Sequence, residues 1–358
     1  MSGGRRVWGE TPEGVRAMHW RRFRCFGDFI VKPRPNLVRE APEVLQVLEG
    51  ALATPRIIAP DRSYGGGVYT AEGELLPASV RPGAELGHHY KPAPHPLPPP
   101  QEEEPEDTLY LGSLMLHFGH FLLEVMPRLW AFQHARPRRI CFHGWRAAWR
   151  DPPAFFTDTL AAVAGGPADV RLIERPTRFA RLLVPSPTFA VQAYGSPQFH
   201  RWCQAFAAAV APTPVPNAPQ RIYVTRRGLK SRKRRLAEEE RLEAFFEHRG
   251  FTVLSPETLS FFEQVRLMRT CRVLAGCEGS ALHLALFMRP RGAVVGLDFR
   301  YNRNQMAVEA MGGHHALHFL CLRLSGKAKH AEDDLMSFDP RYEPLLPREV
   351  DRLLDEII

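Results

Sequence analysis

Residues 272–299 read RVLAGCEGSALHLALFMRPRGAVVGLDF, and the fold is decided there. The run 272–275 (RVLA) is of strand length and apolar after Arg272, and GCEGSA (276–281) is a turn of small residues. Residues 283–287 continue as a helix, and 293–299 (AVVGLDF) form a second strand. Strand, turn, helix and strand in that order make one unit of a parallel sheet with a helix laid across it.

The alternation extends outward. RIYVT (221–225) is a strand, 236–249 a helix stopped by Gly250, 251–254 a strand and 259–270 a helix. Beyond 299 come a helix at 304–311, a strand at 316–322 and a closing helix at 347–357 with Pro347 at its first position. Upstream, PTPVPNAPQ (212–220) has four prolines in nine residues and reads as a linker. The half before it alternates more loosely. Strands are expected at 108–113, 139–142, 170–173 and 180–184, and helices at 120–134, 153–164 and 196–210. Phe121, Val125, Leu129 and Phe132 share a face of the first of these helices, and Pro127 should kink or break it. APHPLPPPQEEEPED (93–107) reads as a polyproline-like surface loop, after short strands at 56–59 and 67–70. The first 35 residues, rich in arginine and aromatics, read either as an irregular segment docked on the domain or as a basic face for a membrane or RNA. The expected division is an N-terminal α/β domain over 1–211, a linker over 212–220 and a second α/β domain over 221–358. Ligands are then expected in a cleft between the two and at the carboxyl ends of strands.

Composition is that of a globular protein: 44% hydrophobic and 24% charged residues in a chain of 358. A net charge of +8 points to an anionic partner, whether nucleotide, nucleic acid or membrane surface. The six cysteines are scattered with no C-x-x-C pair, which reads as a reduced, cytoplasmic chain. No apolar run reaches the roughly 18 residues of a membrane-spanning helix. No apolar segment follows the arginines at the start, so no signal peptide is expected.

Three features carry candidate chemistry. The first is RRGLKSRKRR (226–235), with seven basic residues in ten, beginning where a strand ends. It reads as a clamp for a diphosphate, as a nucleic-acid or targeting patch, or as a solvated loop. The second is the 276–281 turn, where small residues let backbone N–H groups approach a phosphate at a helix start. It is neither a Walker loop nor G-x-G-x-x-G, which counts against a P-loop ATPase and a standard dinucleotide enzyme. The third is His120 with Glu124, four apart on one helix face, with His117 beside them. The pair reads as a general base with its orienting carboxylate or as a structural hydrogen bond. No third ligand stands at a recognisable spacing, so no metal is expected. His88, His89, His314 and His315 read as surface residues.

In order, the motifs resemble glycosyltransferase family 61, which holds plant xylosyltransferases and bacterial capsule and polysaccharide enzymes. HFGHFLLEVMPRLW is similar to the family's H-W/F-L-L-E/D-x-x-P-R-L helix, and RIYVTRR to its R-x-Y-I-S-R strand. RRLAEEERLEAFF is similar to R-R-x-x-N-E-x-E, and GFTVLSPETLSFFEQVRLM to G-F-x-x-x-x-P-E-x-L-S-F-x-E-Q. GCEGSALHLALF is similar to G-x-H-G-A/S-x-L-x-N-x-x-F. The departures are Glu238-Glu239 for N-E, Glu278 for His and Leu284 for Asn. The resemblance implies a GT-B-like α/β fold, two Rossmann-like domains with parallel sheets facing across a cleft. It implies inverting, metal-independent transfer of a hexose or pentose from a nucleoside-diphosphate sugar to a glycan or lipid-linked glycan, with no further cofactor. The absence of a D-x-D tripeptide agrees with that plan. His120 is then the candidate base and Glu124 its partner. Arg226, Arg227, Lys230, Arg235, Glu257, Gln264, His283 and the backbone at Gly279 and Ser280 are the donor-binding candidates. A cytoplasmic site of action is implied, with peripheral contact to the inner membrane through the basic N-terminus. The competing readings are a non-enzymatic nucleic-acid or anionic-surface binder and an inactive homologue. The chain has no RRM, KH or zinc signature, so nucleic acid is not expected.

Overall fold

A computed structural model describes residues 7–10, 16–20, 22–27, 37–58, 64–80, 96–144, 149–213, 215–229, 236–300, 302–324 and 336–357. The chain forms two compact units, Met1–Val38 with Cys203–Ile358, and Arg39–Trp202.

The first unit is built on an eight-stranded sheet. Its parallel part runs, side by side, Thr252–Leu254, Arg221–Val224, Val273–Cys277, Ala293–Leu297, His315–Phe319 and Phe23–Gly27. Counted from residue 221, the strand order is 2-1-3-4-5, a doubly wound arrangement. It reverses direction between Arg221–Val224 and Val273–Cys277. Every residue of Val273–Cys277 and of Ala293–Leu297 is buried, as strands covered on both faces require. Helices Glu239–Glu247, Phe261–Met268, Arg303–Gly312 and Leu345–Ile357 belong to this unit. Ser260 and Glu263 form a reciprocal capping box that starts Phe261–Met268 later than the 259 expected from periodicity. Tyr223 of the first strand stacks on Phe246 of the first helix at 4.7 Å, and both are fully buried.

Three expectations are corrected in this unit. The N-terminal segment is not irregular where it is described. Phe23–Gly27 pairs in parallel with His315–Phe319, and Arg16–Trp20 and Val7–Glu10 continue the sheet antiparallel. Phe23 and Phe26 are buried, and Arg24 is buried against Glu349 at 3.3 Å and Glu356 at 3.1 Å. The compact units therefore divide the chain elsewhere than at 211 and 221. The first 38 residues group with the C-terminal portion, and the second division falls inside the helix Pro197–Val210. The expected linker 212–220 lies wholly within this unit. His314 is buried rather than superficial, with Nε2 3.2 Å from the carbonyl of Ala285. His88 and His89 lie outside the described residues.

The second unit holds a mixed sheet, in the order Tyr64–Tyr69, Leu45–Ile58, Thr177–Pro185, Thr108–Ser113, Arg139–His143, Asp169–Leu172. The first two pairings are antiparallel and the last three parallel. The loop expected over 93–107 contains a strand, Glu102–Glu104, in parallel register with Thr177–Phe179. Three consecutive glutamates hold there because arginines on neighbouring strands face them. Arg139 bridges Glu104 and Asp169, and Arg178 stands 3.7 Å from Glu103. The helix after Thr108–Ser113 begins as an α turn at Phe118–His120. It widens to a π turn over Phe121–Val125 and tightens to 3-10 turns over Met126–Gln133. Pro127 has no N–H to give, so the ladder changes register around it instead of breaking.

Candidate active site

In the first unit, strand order reverses between Arg221–Val224 and Val273–Cys277, the point at which doubly wound sheets bind ligands outside the carboxyl ends of the strands. Thr225, Arg226 and Arg227 leave the first strand, and Glu278, Gly279 and Ser280 leave the second. The two exits meet: Arg226 Nη1 donates to the carbonyl of Glu278 at 3.2 Å. A Cβ added at Gly279 would lie 2.3 Å from that same Nη1, so only glycine lets the guanidinium lie against this turn. Gly279 itself is extended, at φ 168°, and its role is space and not conformation. Ser280 then opens the 3-10 helix Ser280–Phe287, whose first backbone N–H groups have no partner within the helix. Glu257 leaves the neighbouring strand on the short turn Pro256–Thr258, and its Oε1 lies 2.3 Å from where a Cβ on Gly228 would stand. The structure thus gathers Arg226, Glu257, Gly279 and Ser280 at one end of the sheet.

The other donor candidates are placed differently. Arg227 reaches Glu240 at 2.8 Å and Glu243 at 3.0 Å on the helix Glu239–Glu247. Gln264 is buried, and its amide donates to the carbonyls of Pro256 and Leu259, holding the turn that carries Glu257. His283 is buried, with Nδ1 2.8 Å from Gln305 Oε1, in the interior. Lys230 and Arg235 lie outside the described residues.

Two carboxylates that sequence reasoning missed hold the Arg226 loop. Buried Glu239 accepts the backbone N–H of Arg226 at 2.9 Å, and buried Glu243 accepts the Thr225 hydroxyl at 2.6 Å. Burial raises the Glu239 pKa, and the hydrogen bonds from Arg226 and Thr225 oppose that rise. Their sequence signals were the acidic string EEERLE at a helix start and its place in the RRLAEEERLEAFF stretch that resembles R-R-x-x-N-E-x-E, but neither carboxylate was among the candidate site residues. The first unit also contains a buried chain running Asp298, His318, Glu309, Gln305, His283. His318 stands between Asp298 at 2.5 Å and Glu309 at 3.0 Å, and Gln305 donates to Glu309 at 2.9 Å. Burial opposes a charge on His318, but the two carboxylates dominate and raise its pKa well above the ordinary value. This chain ties the segment Ser280–Phe287 to the strands His315–Phe319 and Ala293–Leu297.

In the second unit, His120 and Glu124 do meet, Nδ1 to Oε1, in a short contact spanning the π turn. With its proton on Nδ1 directed at Glu124, His120 presents Nε2 as an acceptor. His120 keeps a third of its side-chain surface exposed (33%), while Glu124 keeps 11%. His117 caps the same helix, accepting the backbone N–H of Gly119 at 3.3 Å, and its ring lies edge-on to His120. Glu124 lines a pocket with Ser113, Arg128 and Pro187 beyond the carboxyl ends of Thr108–Ser113 and Thr177–Pro185. Arg128, also missed from the sequence, is a buried cation in that wall. It donates to the carbonyls of Pro185 and of Ala78, both backbone partners. Burial lowers the Arg128 pKa, and Tyr110 and Glu124 resist that loss. Among the described residues, no group of three or more metal-ligating side chains occurs.

Residues 118–295 match the family model described as Glycosyltransferase 61, a range that contains every candidate residue from His120 to His283. Comparison of the chain with curated proteins gives no significant match.

Proposed function

From the premise that this chain is a glycosyltransferase, with its family 61 domain over residues 118–295, we propose that it is an inverting, metal-independent enzyme using a nucleoside-diphosphate sugar. A glycosyltransferase has a sugar donor and an acceptor. On this reading the unit with Arg226 is the donor half, and the unit with His120 the acceptor half, of a GT-B-type transferase that builds a polysaccharide.

One observation carries the reading: Arg226 lies against Gly279 where two strand exits meet at the switch point. That corner offers a departing diphosphate a guanidinium and the backbone N–H groups of a helix start. Charge supplied in this way does the work that a metal ion does in other transferases. His120 takes the proton of the acceptor hydroxyl on Nε2. The freed oxygen bonds to the anomeric carbon from the face opposite the diphosphate, and the carbon–oxygen bond to the diphosphate breaks. Glu124 holds Nδ1 and stabilises the imidazolium.

A panel of nucleoside diphosphates screened by thermal shift tests the donor half, since a ligand of the native state raises stability by mass action. At least one should raise Tm saturably, and Arg226→Ala should weaken that ligand by roughly tenfold or more. Unchanged affinity in a folded Arg226→Ala protein sinks the clamp.

A further inference from the structure

The amino-terminal edge of the same parallel sheet carries a second concentration of positive charge. Arg272 directly precedes the strand Val273–Cys277, and Arg289 to Gly292 directly precede Ala293–Leu297. Arg272, Arg289 and Arg291 line one pocket of about 460 Å³ with Gln220, Pro290 and Ile357. Among the described residues, no aspartate or glutamate lines it. All three arginines are exposed, and none makes a side-chain hydrogen bond or ion pair among the described residues. Elsewhere in this unit Arg227, Arg241, Arg249, Arg323 and Arg341 each hold a carboxylate. Three guanidinium groups around one hollow repel each other unless an anion sits among them.

The neighbouring positions add to the field. Arg22 precedes the strand Phe23–Gly27 on this edge, and His315 begins the next strand. The His315 pKa is lowered, first by burial and then by Arg22. The carboxyl end of the helix Leu345–Ile357, which also borders the pocket, carries partial negative charge and works against an anion there, so the arginines must outweigh it. Arg291 has φ +67°, a left-handed conformation usually left to glycine or asparagine. The turn therefore keeps an arginine where another residue would be less strained.

This pocket is not the donor corner. The two lie at opposite ends of five-residue strands, about 16 Å apart at 3.3 Å per residue. One diphosphate cannot reach both. We propose that Arg272, Arg289 and Arg291 form a second anion site, which takes a phosphate group presented by an anionic phospholipid headgroup or as free phosphate. Exposed, forked donors that no carboxylate among the described residues occupies suit phosphate oxygens, and Pro290 and Ile357 give the rim an apolar flank.

The test uses the full chain, and compares it with the triple variant Arg272→Gln/Arg289→Gln/Arg291→Gln and with Arg226→Ala. All three arginines are exposed, so the fold should survive, and circular dichroism checks that it does. One arm titrates inorganic phosphate at constant ionic strength by calorimetry. The other sediments the protein with phosphatidylcholine vesicles, with and without phosphatidylglycerol. For a headgroup, each arginine contributes about fivefold, so the triple variant should lose on the order of a hundredfold in partition. For free phosphate, the loss should be roughly tenfold or more. Arg226→Ala should leave vesicle binding in place and remove only phosphate held at the donor corner, so the phosphate arm is run in the Arg226→Ala background with and without the triple substitution, which separates this site from the donor reading. Loss confined to one arm supports the site and names its source. An intact chain that binds neither probe, or binding that survives the triple substitution, overturns the proposal.

Discussion

Gly279→Ala separates binding from folding at the donor corner. The new Cβ would stand 2.3 Å from Arg226 Nη1, against the 3.4 Å at which ordinary contact begins. The next nearest atoms are Arg226 Cζ at 3.6 Å and the Cys277 carbonyl at 3.8 Å, so the guanidinium alone must move, by about an ångström. The backbone is already extended there, at φ 168°, and alanine brings no strain of its own. The displaced arginine gives up its 3.2 Å bond to the Glu278 carbonyl and its aim at the diphosphate. A charge-assisted hydrogen bond is worth about 1.5–3 kcal/mol, so affinity should fall roughly 10- to 150-fold. Stability should change by less than about 1 kcal/mol, because a stiffer unfolded chain offsets the lost contact. Gly276→Ala, three residues earlier, is the control. Its Cβ would meet Val224 Cγ2 at 2.5 Å and the Val224 carbonyl at 3.0 Å, inside the sheet. Overpacking there costs about 1–3 kcal/mol. Calorimetry with the nucleoside diphosphate chosen by the screen, beside melting curves of both variants, reads the two effects separately. If Gly279→Ala folds normally and binds like the parent, Arg226 does not hold the diphosphate.

The remaining predictions concern the base and the buried histidines. His120→Ala should lower turnover about 10²–10⁴-fold with donor affinity nearly unchanged, and Glu124→Gln should also damage turnover. If both variants melt early but turn over normally per folded molecule, the pair is structural. Burial holds the pKa of His143 and of His200 down to about 4, so the unfolded chain takes up protons first as pH falls. Stability should therefore drop between pH about 6.5 and 4, by about 1.4 kcal/mol per pH unit for each histidine. Melting curves of His143→Gln should show a shallower acid slope. His318 has the opposite sign: its raised folded pKa stabilises at and below the ordinary histidine range, and that support is lost as pH rises through the raised value. His318→Ala leaves Asp298 and Glu309 buried without the cation between them, and should cost about 3–5 kcal/mol by chemical denaturation.

The parallel core of the first unit was legible because its strands are short apolar runs separated by helices of ordinary length. The strands Arg221–Val224, Val273–Cys277 and Ala293–Leu297 were found from such runs, with ends shifted by a few residues. Strand order was not legible, since only hydrogen bonding between strands shows where the sheet reverses. The N-terminal strands were hidden for a related reason. Arg24 looks like a surface residue until Glu349 and Glu356, more than 300 positions away, are placed against it. The same holds for Glu102–Glu104, whose strand faces three arginines from two other segments. Long-range charge pairing leaves no local periodicity to read.

The candidate site divides along the same line. Residues whose contribution is local were visible: the four-residue spacing of His120 and Glu124, the glycine turn, the arginines after a strand. Residues that act by holding others, Glu239, Glu243 and Arg128, were not. Glu278 shows why the distinction matters. At this position the resemblance expects histidine, and a lost side chain there would suggest a lost donor contact. In the structure its carboxylate turns to Arg300 at 3.0 Å and Asn302 at 3.2 Å, within the first unit, while its backbone carbonyl accepts Arg226. The contact that places the guanidinium is therefore made by the backbone, and any residue compatible with the turn can make it. The side chain instead pins the segment that leads into the helix Arg303–Gly312, which Asn302 caps. A change from histidine to glutamate at this point alters what holds that segment without dismantling the corner formed by Arg226, Gly279 and Ser280.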